Sequence, residues 1–330
     1  MNDTSNKKWR LLYFVAKQGK YTLTDNAFLL EQFYYHCRIK NLRPKTLDCY
    51  AERLTYFMYW LNKQEDCGGH CPLAGSCHHT LDKIDIVCIQ QYIMSLIEPN
   101  KVSAETINGR IRVYKLFYRF LFENGLIKKN PLEKIKLLKV DRKIKTVVSP
   151  QQLSLALKYF NQQSFCGSRN RLMILMTYDT MIRSGELINL ETSNVDLGSK
   201  LIKVHGKSRR DRVIPMSVKT AKCAQRYSLR WRSSRPGDRF FCKKGGEALD
   251  VYRVYKIFRE AGKKIGVLMG PHLIRHSGAN EYTRLGGHVE VLQLLLGHSD
   301  IRTTMIYQHK KVDDMIEGHK RFSPVELMEV

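Results

Sequence analysis

The stretch from Gly270 to His309, GPHLIRHSGANEYTRLGGHVEVLQLLLGHSDIRTTMIYQH, constrains this chain more tightly than any other. Pro271 suits the first turn of a helix, where its missing amide hydrogen costs nothing. His272 and Arg275, three apart, then fall on one face near that helix's N-terminus. Amides at a helix N-terminus attract phosphate. Val289 to Leu296 follows as a short amphipathic helix, which Gly297 stops just before His298. Thr303 and Thr304 precede Tyr307 on another short helix, nine residues after His298. The pattern presents a histidine and a tyrosine to the same anion, and it reads as a phosphate-transfer site with a tyrosine nucleophile.

Charge points to the kind of anion. Lys and Arg number 56 against 31 acidic residues, for a net charge of +25 and a pI near 9.7, and the cations are spread along the whole chain. A long polyanion is the expected partner, held with an affinity that falls steeply as salt rises. A basic protein without such a partner and a ribosome-type RNA binder are the competing readings. A length of 330 residues favours two domains, and 43% hydrophobic residues suffice for ordinary cores. No apolar run approaches the roughly 18 residues of a membrane span. Leu11 to Ala16 ends at Lys17, too short for a signal peptide. An intracellular, cytoplasmic protein is expected, with no membrane partner. Its nine cysteines should then be reduced thiols or metal ligands rather than disulfides.

In chain order, residues 1–23 read as a loosely held arm with room for a short helix. A helical unit at 24–133 follows. Phe28, Leu29, Phe33, Tyr34 and Cys37 recur at helical spacing from Asp25 to Lys40, and Leu42 to Thr46 breaks that run. A second helix is expected from about Thr46 to Leu61, a third from Leu81 to Ile97 and a fourth from Ser103 to Asn124. The fourth has a core face of Ile107, Ile111, Tyr114, Tyr118 and Leu121 and a cationic face of Arg112, Lys115 and Arg119. Lys45 and Thr46 stand at the start of the second helix, where a phosphate could be held. Residues 134–145 form a basic linker. A second domain opens near Thr146, with Ser149-Pro150 capping its first helix, and runs through residues 146–309 before a tail at 310–330.

Between the second and third helices, residues 63–80 form an insert rich in Cys and His. Cys67, Cys71, Cys77 and His78 have the donor set for tetrahedral zinc, or the thiolates for an iron–sulfur cluster. The spacing Cys-x3-Cys-x5-Cys-His-His is not a common zinc pattern, and a metal-free insert is the alternative. Any metal here would be structural.

The remaining pieces lie between residues 171 and 216. Arg171 to Leu190 reads as helix, turn and helix, with Arg183 and Glu186 at its centre. Leu201 to His205 and Arg212 to Met216 read as two strands of a hairpin around Gly206-Lys207-Ser208-Arg209-Arg210-Asp211. A nucleotide-phosphate loop would need glycine five residues before Gly206, where Leu201 stands, so an ATPase is excluded. These motifs hold no paired carboxylates for two catalytic metals, which argues against a metal-dependent nuclease.

His-x-x-Arg, Leu-Gly-His and Thr-Thr-x-x-Tyr-x-His, together with the Arg183 segment Thr180 to Leu187, resemble the tyrosine recombinase (phage integrase) family. The segment departs from the family's commonest form at Met181, where glycine is frequent, and at Gly185, where serine is. The resemblance implies a mainly α, two-domain DNA clamp: a helical core-binding domain and a mixed α/β catalytic domain with a small β-hairpin. It implies DNA contacts at Lys45, Thr46, Asn108 and Arg110, and Arg209 and Arg210 of the hairpin turn are further expected contacts. It implies catalytic roles for Arg183 and Arg275 as phosphate clamps, His272 as proton acceptor, His298 as hydrogen-bond donor, Lys207 as acid and Tyr307 as nucleophile, with Lys203 the second choice for the lysine.

Two forked guanidinium groups suit the charge that builds on the nonbridging oxygens. The expected function is site-specific recombination of double-stranded DNA with paired sites, by a homotetramer working through a 3′-phosphotyrosine and a Holliday junction without ATP or a catalytic cofactor. A type IB topoisomerase and a DNA-binding protein without catalysis are the alternatives.

Overall fold

The computed structural model describes residues 8–12, 25–63, 80–98, 102–140, 146–205 and 211–297. The chain divides into two compact units, Met1–Lys143 and Ile144–Val330.

All regular secondary structure among the described residues of the first unit is helical: α1 (residues 8–12), α2 (Asp25–Ile39), α3 (Pro44–Lys63), α4 (Ile86–Ile97) and α5 (Ala104–Glu123). Trp9 and Leu12 of α1 are fully buried in the same core as Phe33, Phe57 and Phe117, so this part of the expected loose arm is packed. Pro44 opens α3 rather than breaking the chain before it, because a first-turn proline loses no helical hydrogen bond. The third helix begins at Ile86 instead of Leu81. Leu81 and Ile84 are apolar and buried, but the Asp85 carboxylate accepts from the Cys88 amide at 2.8 Å and starts the helix there. On α5, all five expected core residues are buried.

The second unit contains α6 (Pro150–Lys158), α7 (Phe165–Thr180), α8 (Ser184–Ile188), β1 (Val195–Asp196), β2 (Leu201–His205), β3 (Asp211–Pro215), α9 (Val218–Tyr227), α10 (Val251–Lys263), α11 (Pro271–Arg284) and α12 (Val289–Leu296). Ser149 caps α6 reciprocally with Gln152. The strands form an antiparallel sheet in the order β1-β2-β3, with Ile202 opposite Ile214 and His205 opposite Asp211. Ile202, Val204 and Ile214 face the core, while Lys203 and His205 lie on the other face. Gly278 lets α11 lie against α7, because a Cβ there would stand 2.1 Å from the Tyr178 carbonyl oxygen. Met173, Ile174, Phe240 and Phe258 are among the core residues beneath these elements.

Candidate active site around Arg183 and Arg275

Arg183 sits in the turn between α7 and α8. Helix α7 stops because Met181 adopts the left-handed conformation, at φ 52 and ψ 29. The side chain of Glu186 reaches back to accept from the Arg183 amide at 2.9 Å and from its Nη1 at 3.0 Å. Arg183 Nη2 donates to the Gly297 carbonyl at 2.9 Å. The arginine is thereby tied to its own helix and to the end of α12.

Arg275 comes from α11, which begins at Pro271 as the sequence implies. Its guanidinium is buried and donates to two carbonyls, those of Met181 and, at 2.8 Å, Leu296. Both arginines are therefore preset by backbone oxygens, which is the preorganisation that stabilising a developing anion requires. His272 lies one turn earlier on α11 and is exposed. Partial burial and the nearby charges of Arg275 and Arg183 hold its imidazole below the ordinary value, so it is neutral at neutral pH. Gly297 ends α12 at φ 60 and ψ 48, immediately before the position of His298.

The sequence reading missed Arg212, at an inward position of β3 in phase with buried Ile214. Its Nη1 and Nη2 donate to the two Glu186 oxygens at 2.8 Å each, and its Nε to the Leu295 carbonyl at 3.1 Å. Burial alone would push the Glu186 carboxyl up. The hydrogen bonds from Arg212 and from the Arg183 amide, with both guanidinium charges, hold it below the usual carboxylate range instead. The signal available in the sequence was a charged residue in an inward phase of an alternating strand.

Lys203 lies on the outer face of the hairpin, 3.5 Å from Asp211 Oδ2, away from the face that carries Arg212. Lys45 is exposed at the start of α3, but the amides of Thr46 and Leu47 turn in to the Arg43 carbonyl at 2.8 and 3.2 Å. An anion there would meet side chains rather than those two amides. Asn108 is corrected from a DNA contact to a structural residue. It is buried, its Nδ2 donates to the Leu138 carbonyl at 2.9 Å, and its Oδ1 accepts from the Leu138 amide at 2.8 Å. Arg110 stacks over the half-exposed Tyr56 ring, 4.3 Å from its centroid.

Lys207, Arg209, Arg210, His298, Tyr307 and the metal candidates Cys67, Cys71, Cys77 and His78 lie outside the described residues. Among the described residues there is no cluster of three or more His, Cys, Asp or Glu side chains able to hold a metal ion. No described helix is long and apolar enough to cross a membrane.

Comparison with known proteins identifies the family of both units. Residues 146–313 match the model of the phage integrase family, and residues 29–127 that of the phage integrase N-terminal SAM-like domain. Tyrosine recombinase XerC of Thermodesulfovibrio yellowstonii is 25% identical over 313 residues, covering 92% of this chain and 98% of that one. Tyrosine recombinase XerD of Staphylococcus aureus is 28% identical over 305 residues, covering 90% and 98%. Among solved structures, the Tn1549 transposon integrase with circular intermediate DNA superposes with a TM-score of 0.70 at 21% identity, over 88% of this chain and 98% of that one. The XerH recombinase in a post-cleavage complex gives 0.68 at 18%, over 97% of each.

Proposed function

The chain belongs to the phage integrase family, and from that premise we propose that it is a site-specific DNA recombinase of the tyrosine class. The observation that carries the reading is the convergence of Arg183, His272 and Arg275, from two separate helical segments, on one place with Glu186 behind them. The relatives bear the name tyrosine recombinase, and the structural neighbours include complexes with DNA.

In the proposed reaction, the Tyr307 hydroxyl attacks the scissile phosphorus. The bond from Tyr307 oxygen to phosphorus forms as the bond to the 5′ oxygen breaks. His272, neutral at neutral pH, takes the phenolic proton, and Lys207 supplies one to the departing oxygen. Arg183 and Arg275 hold the nonbridging oxygens, with a hydrogen bond from His298. The 3′-phosphotyrosine keeps the bond energy, so a second 5′ hydroxyl can reseal the strand without ATP or metal. Two such exchanges pass through a Holliday junction. The enzyme works as a homotetramer on paired sites; the tail 310–330, with the apolar residues Pro324, Val325, Leu327 and Met328, is proposed to dock on a neighbouring subunit, docking on its own domain being the alternative.

Lys45, Thr46, Arg110, Arg209 and Arg210 stand as backbone contacts to DNA. The insert's Cys67, Cys71, Cys77 and His78 stand as a structural zinc or iron–sulfur site, which metal analysis of the purified protein tests. The reading implies a protein of the DNA-containing cytoplasm.

The test incubates the protein, in EDTA, with a pool of nicked random-sequence duplexes and sequences what becomes covalently attached, with Tyr307→Phe alongside. Adducts from the wild type alone are expected, and they also reveal the site. Adducts that persist in Tyr307→Phe would remove that tyrosine from the chemistry, and none from either protein would count against the enzyme.

A further inference from the structure

We propose that Arg212 is a positioning residue of the active site, which holds Glu186 so that Arg183 remains available to the scissile phosphate. The inference rests on the recombinase reading above. Glu186 accepts four hydrogen bonds: two from the Arg212 fork, one from the Arg183 guanidinium and one from the Arg183 amide. These fill the lone-pair sites of a carboxylate. Because the Glu186 side chain is only 6% exposed, its charge must be compensated locally. Two guanidinium groups share that one charge, so a net positive charge is left at the site. Without Arg212, Arg183 would be the sole counter-ion to Glu186 among the described residues and would be drawn towards it, away from a substrate phosphate.

Arg212 also links parts of the unit that are distant in sequence. Its Nε donates to the Leu295 carbonyl, and its guanidinium lies against Gly297, where a Cβ would come within 3.0–3.1 Å of it. One side chain therefore joins the Arg183 turn, the turn-proximal end of the hairpin and the end of α12 just before His298. Lysine cannot replace it, because a single ammonium group lacks the planar fork that grips both carboxylate oxygens.

The duplex recovered in EDTA serves as substrate, made with either the natural phosphodiester or a neutral methylphosphonate at the scissile position. Single-turnover adduct formation and duplex affinity are measured for the wild type, R212K, R212Q and R212Q/E186Q. R212K and R212Q should react about 10- to 100-fold more slowly with duplex affinity unchanged, a smaller loss than the ~10²–10³ expected for removing a direct charge-stabilising donor. The double variant should recover part of the R212Q deficit, because no surplus carboxylate competes for Arg183. The methylphosphonate should narrow the gap, because a group without charge depends less on a guanidinium. Should R212Q fail to fold, R212K, which keeps the positive charge, carries the comparison. A reactive wild type with R212 variants of equal rate, or with the same deficit on both linkages, overturns the role of Arg212 alone. A wild type that forms no adduct overturns the recombinase reading itself.

Discussion

The protonation of His272 is set by its partial burial and then by its two guanidinium neighbours, and that gives the site a pH signature. Partial burial and the charges of Arg275 and Arg183 depress its value, so the neutral imidazole needed to accept a proton dominates at neutral pH. Adduct formation per unit of free enzyme should rise with pH along a limb below about 6.5, the ordinary histidine value, and then level off. His272→Ala should abolish the limb along with most of the rate. A pH profile of kcat/KM on a nicked duplex checks this, and a limb that survives in the variant would assign it to another group.

Met181 is a second local case. Its left-handed backbone explains why glycine is frequent there in the family, yet its side chain is buried against Ala279, Leu292 and Leu296. Met181→Gly would relieve about 1–2 kcal/mol of backbone strain but forfeit about 2–5 kcal/mol of buried packing. A net destabilisation in urea unfolding is expected, and a stabilised variant would mean that strain outweighs packing. The sequence shows the departure at Met181, but not the burial that makes methionine tolerable there.

Among elements, the crossing of α11 on α7 sets the distance between the two arginine segments, and Gly278 sets that crossing. Alanine would raise the helix propensity of α11 by up to ~1 kcal/mol. Its Cβ, however, would be 2.1 Å from the Tyr178 carbonyl oxygen, so backbone has to move. Gly278→Ala should therefore cost about 1–3 kcal/mol and slow adduct formation, as Arg275 slips from the Met181 carbonyl. Thermal unfolding beside the adduct assay decides, and a raised Tm with full activity would show that the helices can part freely.

Element ends were legible wherever local chemistry sets them, as with Ser149-Pro150, Pro271 and Gly297. Helix α4 was drawn too long because an apolar run continues through its start, and only the Asp85 cap divides it. Strand β1, two residues long, has too little period to detect. The bonds that assemble the site span 26 residues from Glu186 to Arg212 and 114 from Arg183 to Gly297, separations at which no local pattern operates.

At the scale of the whole molecule, each unit has its own core. One extends from Trp9 to Ile135, and the other begins at Val148, with no residue in common. Each unit can therefore be expected to fold alone, and the contribution of each to DNA binding can be measured separately. Every phosphate neutralised by a lysine or arginine should steepen the log–log dependence of affinity on salt by about 0.9. The cations behind the net charge of +25 are spread over the chain, so both units should make phosphate contacts. Joining them makes the second contact intramolecular, and the full chain then binds more tightly than either half. Residues 144–330 alone should thus bind the recovered duplex more weakly than the full chain and with a shallower salt slope. Titrations at several salt concentrations would show it. Equal slopes would mean that the helical unit leaves the phosphates untouched, and the contacts assigned to Lys45, Thr46 and Arg110 would have to be withdrawn, while the chemistry at Arg183 and Arg275 would stand.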